Sequence, residues 1–338
     1  SAQRIGTGRS TSAHVDEAPI LFCHYGNKRY LRYVLTCARL SNPDKPIILL
    51  GDETNRGTAK RAGVRHEPFD AYADGELLAT FHEVYRRVRE PAGGSMRGGR
   101  DWQKFVFQRW FHVERFLRAE NVGSFWHFDS DTMLLSALGS HEARFEGVDC
   151  TEQCSGRCMN GWVAGPHVVE RYLRKINEIF QDPERCAQLA EQIARSEPES
   201  GYTEMHAFEC WRADEQPRTV RLNAEHDDAT FDDCVCHDDG LRTEALPDGR
   251  HTKAVHLHPD GRFFGVTAAD GRPVWFHSLN LSWVPNAAFD VVLAHRRTST
   301  RADDAAPDPQ GTDTLGARLS AGQGQRPLRR LWRRITGG

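Results

Sequence analysis

No apolar run in this 338-residue chain is long enough to cross a bilayer. The longest, such as 46–50 and 276–281, fall far short of the ~20 residues that a spanning helix needs. A dominant charge sign is also missing: 44 basic residues nearly balance 47 acidic ones, so bulk electrostatics give no reason to expect a nucleic-acid partner. Residues 1–17 are polar and lack the apolar centre of a signal peptide, so the expectation is a soluble, cytoplasmic protein. No internal repeat is visible. Cysteine is not scarce, but the two-residue intervals of a zinc ribbon are lacking. Cys23 and Cys37 sit in apolar segments and read as buried thiols. Cys150, Cys154 and Cys158 form one evenly spaced set, and Cys234, Cys236 and His237 another. Together they leave open a structural zinc site or disulfides, with unlinked thiols the preferred reading.

What is present is an alternation of strand and helix. Residues 19–24 read as a strand, 29–40 as a helix with Leu31, Val34, Leu35 and Ala38 on one face, and 46–50 as a second strand. Asn42-Pro43 stops the first helix, and 58–62 begins another. Short connections between such elements predict an α/β fold with a parallel sheet. A Gly/Arg-rich loop at 91–100 precedes an amphipathic helix over 102–120. Helices follow at 167–180 and 183–196, a half-helical piece at 201–211, and strands around Val255, Phe263 and 274–281. Residues 1–17 read as a disordered tail and 298–325, rich in Ala, Asp, Gly, Pro and Thr, as a disordered linker. Over 326–338, Leu328, Leu331, Trp332 and Ile335 share a helical face ringed by five arginines. That pattern fits a basic interfacial helix meeting an anionic membrane or an acidic partner, or a helix docked on its own domain, or a solvated tail.

The most informative stretch is 124–134. Aromatic strand formers Phe125, Trp126 and Phe128 lead into Asp129-Ser130-Asp131, and a second apolar run follows. In extended backbone, residues two apart face the same way, so both carboxylates would point to one side. Ligands of open α/β sheets bind at the carboxyl ends of the strands, where this pair falls. Two such carboxylates can hold a hard divalent cation that keeps places for substrate phosphates. Ser130 would face the other side.

From Lys104 to Trp110 and on through Phe128-Asp129-Ser130-Asp131, the chain resembles the helix-then-strand block of GT-A fold, family 8-like glycosyltransferases, which use nucleotide-diphospho-sugars. The likeness spans roughly residues 18–285 and is specific around the aspartates. It implies a Rossmann-like mixed sheet flanked by helices, forming a single large domain over 18–290. It also implies Mn²⁺ or Mg²⁺ at Asp129 and Asp131, bridging a donor diphosphate and neutralising the leaving group. In the family a late histidine completes the metal site. His277 follows an apolar strand as that pattern requires, although the Gly and Lys expected after it are missing, and His256 and His258 are alternatives.

Donor contacts are expected at the first strand ends, where Tyr25 could stack on a base beside Gly26 and Asn27, and Asp52 could accept from base or ribose. Gly-Asp at a strand end is equally an ordinary turn. Lys104 and Arg109 could offset diphosphate charge, and Asn160, Gly161 and Trp162 resemble the strand under the donor sugar. Glu204 is the candidate base if the reaction inverts. The expected partners are a UDP-sugar and a hydroxyl acceptor on a glycan or lipid-linked glycan, with peripheral contact at the inner membrane face through 326–338. A sugar-nucleotidyltransferase would need a Gly-rich basic loop after the first strand, and 24–29 has a single glycine. The readings from another class are a non-catalytic module stapled by zinc and a degenerate transferase that binds glycan without turnover.

Overall fold

Alternation of side chains along the strands builds two cores at once. In the strand β1 (Ile20–His24), Ile20 and Phe22 join one apolar cluster while Leu21 and Cys23 join another. The computed structural model describes residues 17–89, 100–297 and 306–324. Helix α1 (Leu31–Ser41) buries the face of Leu31, Val34, Leu35 and Ala38, as the helical period requires. Then come β2 (Ile47–Gly51), α2 (Glu53–Arg61), β3 (Arg65–Pro68), α3 (Glu76–Val84) and the long helix α4 (Arg100–Ala119). The chain enters β4 (Phe125–Asp129), turns at Ser130 and Asp131, and leaves along β5 (Thr132–Leu134).

The hairpin β6 (Cys150–Gln153) and β7 (Cys158–Val163) follows, then α5 (Pro166–Gln181), α6 (Pro183–Ser196), α7 (Glu204–Glu215) and β8 (Thr219–Arg221). Asp182 caps α6 by accepting from the Arg185 amide at 3.0 Å, and Pro183 opens the helix where its missing N–H costs nothing. The remaining elements are β9 (Ala229–Phe231), β10 (Thr243–Ala245), β11 (His251–Lys253), β12 (His256–Leu257), β13 (Phe263–Val266), β14 (Pro273–Asn280), α8 (Asn286–Arg297) and α9 (Leu315–Gly324).

The main sheet runs β3-β2-β1-β4-β7-β6-β8. Its first four strands are parallel, and β7 pairs antiparallel to β4, so the sheet is mixed. Residues of α3 to α7 cover one face. Residues of α1, α8 and α9, with the second sheet β12-β13-β14-β5, cover the other. The expected mixed α/β sheet flanked by helices in one domain is therefore formed. β4 is its middle strand, and β5 belongs to the second sheet, so Ser130 and Asp131 lie where the chain passes between sheets.

The linker reading of 298–325 needs correction over 306–324. Leu315 and Leu319, one helical turn apart, are buried against the second sheet, and the Leu315 amide donates to the Val255 carbonyl at 2.8 Å. Two leucines at that spacing suffice to dock a helix whose other residues look like a linker. The tail 1–16, the loop 90–99, residues 298–305 and the basic segment from 325 lie outside the described residues. Among the described residues no helix is long and apolar enough to cross a membrane.

Candidate functional site

Strand parity decides which helix Asp129 meets. Cys23, opposite it in β1, belongs to the cluster beneath α4 and α7, so Asp129 points toward Arg109 on α4. Arg109 Nη1 donates to Asp129 Oδ1 at 2.7 Å, and its Nη2 donates to Glu204 Oε1 at 3.1 Å. Asn160 Nδ2 donates to the second Asp129 oxygen at 3.0 Å, and the Asn160 carbonyl oxygen lies 2.9 Å from Nδ1 of the buried His127. Burial pushes Asp129 toward protonation, but Arg109, then His127 and the hydrogen bonds, outweigh it and hold the carboxyl below its ordinary range. The side chain is still 27 % exposed, so one side of this carboxylate faces open space. Arg109 thus spends its charge on two carboxylates of the chain and is not left over as the expected diphosphate clamp.

Asp131 sits in the turn, not in extended strand, so the pair converges through a bend and not through simple alternation. Ser282 Oγ donates to Asp131 Oδ2 at 2.9 Å, while Oδ1 is buried with no hydrogen-bond partner. Burial, then the neighbouring charge of Asp129, raises the Asp131 carboxyl to about 6. Ser130 faces away and its hydroxyl lies 2.7 Å from His24 Nδ1.

His277 is not brought to the aspartates. The β14–β5 register places it against Leu135, four residues from the Leu281 amide that donates to the Asp131 carbonyl, about 13 Å along the strand. Its ring packs 4.2 Å from His141 and 5.0 Å from Phe231, and burial lowers it to about 3. His256 and His258 lie farther off, packed on Phe264 and Trp275. The residues that do approach Asp131 are Ser282 and, through it, Asn280. The family pattern points to a histidine, whereas a lone serine two residues beyond β14 carries no motif that singles it out.

Glu204 opens α7, and only 7 % of it is exposed. Burial raises its carboxyl, Arg109 partly offsets this, Asp129 adds to it, and the result is about 7. Its Oε2 is buried with no hydrogen-bond partner. Tyr25 is exposed beside β1, with its ring 5.6 Å from Phe105, and Asn27 accepts from Thr58 at 3.1 Å. Asp52 is not a free carboxylate. It accepts from the Gly26 amide and from the Thr54 amide at 2.8 Å, capping α2 and pinning the Tyr25-Gly26 turn. Lys104 is not joined to Arg109: five residues along a helix is about 140° of rotation, and its ammonium lies over the Tyr85 ring at 5.6 Å. Gly161, at φ +89°, backs onto Thr151 and Leu222, so a side chain there would collide with the packing.

All nine cysteines are free thiols, and among the described residues no group of three or more His, Cys, Asp or Glu side chains is arranged to hold a metal. No zinc staple is assembled among these described side chains. A hard cation at the aspartates is a different case, because it needs few protein ligands and takes the rest from phosphate and water. The unpartnered Asp131 Oδ1 beside the part-exposed Asp129 fits that demand with oxygen atoms only.

No family model matches the chain, and no curated protein matches it. Among solved structures it is similar to a cytidylyltransferase from Leptospira borgpetersenii serovar Hardjo-bovis, with TM-score 0.33 and 11 % identity, over 63 % of this chain and 78 % of that one. The glycosyltransferase PaToxG gives TM-score 0.30 and 10 % identity over 53 % and 68 %. The bifunctional glycosyltransferase WbbM gives 0.31 and 14 % over 62 % and 39 %. At this degree of overlap the activities named are those proteins' own.

Proposed function

We propose that this chain is a glycosyltransferase of GT-A type, moving a sugar from a nucleotide-diphosphate sugar to a hydroxyl acceptor with the help of Mn²⁺ or Mg²⁺. The observation that carries the reading is the Arg109 bridge between Asp129 and Glu204. It holds one carboxylate ionised at the strand end and a second, tuned to about 7, within the same site. Asp129 and Asp131 would hold the cation, which when bound supplies positive charge to the departing diphosphate.

The chain's own residues carry the proton. Glu204 Oε2 takes the acceptor hydroxyl's proton as that oxygen bonds to the anomeric carbon. The bond from that carbon to the diphosphate oxygen breaks, and its electron pair leaves with the diphosphate. A carboxyl near 7 suits a general base at neutral pH, which is the outcome an inverting transfer needs. Arg109 keeps Glu204 and Asp129 from repelling each other while the charge moves. Tyr25 offers an exposed ring for the base. Uridine as that base comes from the resemblance, and a glycan or lipid-linked acceptor comes from the arginine-rich segment 326–338.

A screen of UDP- and GDP-sugars for Mn²⁺-dependent hydrolysis or transfer tests this. Turnover of at least one donor, lost with Asp131→Ala, is expected. No turnover of any donor with or without Mn²⁺ would favour the degenerate, glycan-binding reading.

A further inference from the structure

Asp131 is held from behind by a buried chain of polar groups that begins at a lysine distant in sequence. Lys253 is 2 % exposed, and its ammonium donates to Asp232 Oδ1 at 2.5 Å, Asp239 Oδ2 at 2.5 Å and the Cys234 carbonyl at 3.0 Å, which uses all three N–H donors. The other oxygen of Asp232 accepts from the Asn280 amide at 2.9 Å. The Asn280 side chain donates to the Asp233 carbonyl at 3.1 Å, which turns its oxygen toward Ser282. That oxygen accepts from the Ser282 amide at 3.0 Å and lies 2.6 Å from its hydroxyl, whose single proton is shared between it and Asp131 Oδ2 at 2.9 Å. Asp232 and Asn280 are each 1 % exposed, so the link between them is shielded from water, whereas the Ser282–Asp131 end is only part-buried.

The same 232–233 segment grips the other half of the site. Gln153 donates to the Asp232 carbonyl at 2.7 Å, and the Ser155 amide donates to Asp233 Oδ2 at 2.7 Å. Those residues end β6 and begin the turn into β7, the strand that carries Asn160 and hence one oxygen of Asp129. The 232–233 segment therefore touches both halves of the site, Asp131 through Asn280 and Ser282, and the hairpin behind Asp129 through Gln153 and Ser155, while the Lys253–Asp232 ion pair lies on the Asp131 branch.

We propose that Ser282 is the positioning residue of the cation site and that the Lys253–Asp232 pair is its anchor. Ser282 engages Asp131 Oδ2 and thereby leaves Oδ1 as the oxygen presented to the cation. The role rests on the cation-dependent reading of the site given above, and it puts a hydroxyl where the resemblance led to a histidine. Partners that orient a ligating carboxylate typically affect metal affinity about 10–100-fold when removed.

The test is Mn²⁺ binding in the presence of UDP, followed by loss of the free-ion paramagnetic resonance signal, with far-ultraviolet dichroism and thermal melting of each protein without ligand. Wild type should take up about one Mn²⁺. Ser282→Ala should bind it at least ~10-fold more weakly with an unchanged ligand-free melt, and Ser282→Thr, which keeps the hydroxyl, should restore the affinity. Asn280→Ala should act in the same direction as Ser282→Ala, whereas Lys253→Met is expected to lower the melt as well because it strands a buried carboxylate. Wild type that takes up Mn²⁺ together with a Ser282→Ala protein of equal affinity would overturn the positioning role and leave the functional reading standing. Wild type that takes up no Mn²⁺ with UDP would overturn both.

Discussion

Arg109 and Glu204 lie 95 positions apart in the chain and meet at 3.1 Å, with Asp129 on the other arm of the same guanidinium. Two helices and the middle strand of the sheet are fixed to one another by this cation. Replacing it with Arg109→Met leaves two carboxylates facing each other with little water. A loss of about 3–5 kcal/mol in unfolding free energy, read from urea midpoints, is expected for breaking a buried pair from one side. Adding Glu204→Gln to Arg109→Met should recover part of that loss, because it removes one of the stranded charges.

The Glu204 and Asp131 carboxyls also set a pH dependence. Both are raised above their ordinary values, to about 7 and about 6, by burial first. The folded protein therefore holds protons there that the unfolded chain has already released, and stability from these groups is complete below about pH 4 and lost as pH rises through 6 to 7. Glu204→Gln should flatten the upper part of this decline. Thermal melts of both proteins between pH 5.5 and 7.5 check it, and parallel curves would contradict it.

Asn160 satisfies Asp129 and His127 at the same time. Asn160→Ala leaves a carboxylate oxygen and a buried imidazole nitrogen without their partners. The expected cost is about 1–3 kcal/mol of stability, measured by chemical denaturation, with transferase turnover falling as Asp129 loses its fixed orientation.

Asp52 gives a contrasting case. As the cap of α2 and the anchor of the Gly26 amide, it should lose about 1 kcal/mol of stability on change to Ala and much less on change to Asn, which also caps. Its substitution should lower the melting temperature with Mn²⁺ uptake preserved. A direct nucleotide contact would instead show as weakened UDP binding in a protein of normal stability.

Much of this site can be read from residue order because local rules govern it. The aromatic strand before Asp129, the arginine nine positions into α4 and the alternation along β1 and β4 follow from helical and strand periods, and these put Arg109 and Asp129 on one face. Glu204 was legible from its place at the start of a helix, although the common partner that ties it to Asp129 was not. The partner of Asp131 could not be read in this way. It depends on the register of β14 against β5, where a shift of a few residues decides whether His277 or Ser282 arrives, and short-range pattern carries no information about that register. The Lys253–Asp232 pair is hidden for the same reason, since charged residues in polar sequence read as solvated until the fold buries them.

In the proposed function Asp131 helps to hold a divalent cation together with a nucleotide diphosphate. The melting temperature with saturating UDP and Mn²⁺, for wild type and for Asp131→Ala, tests it most directly. A rise of roughly 5 °C in wild type at about 100 times Kd, needing both ligands together and absent in a folded Asp131→Ala protein, is the expected result. An unchanged wild-type temperature with UDP and with the other nucleoside diphosphates, or an equal rise in Asp131→Ala, would contradict it.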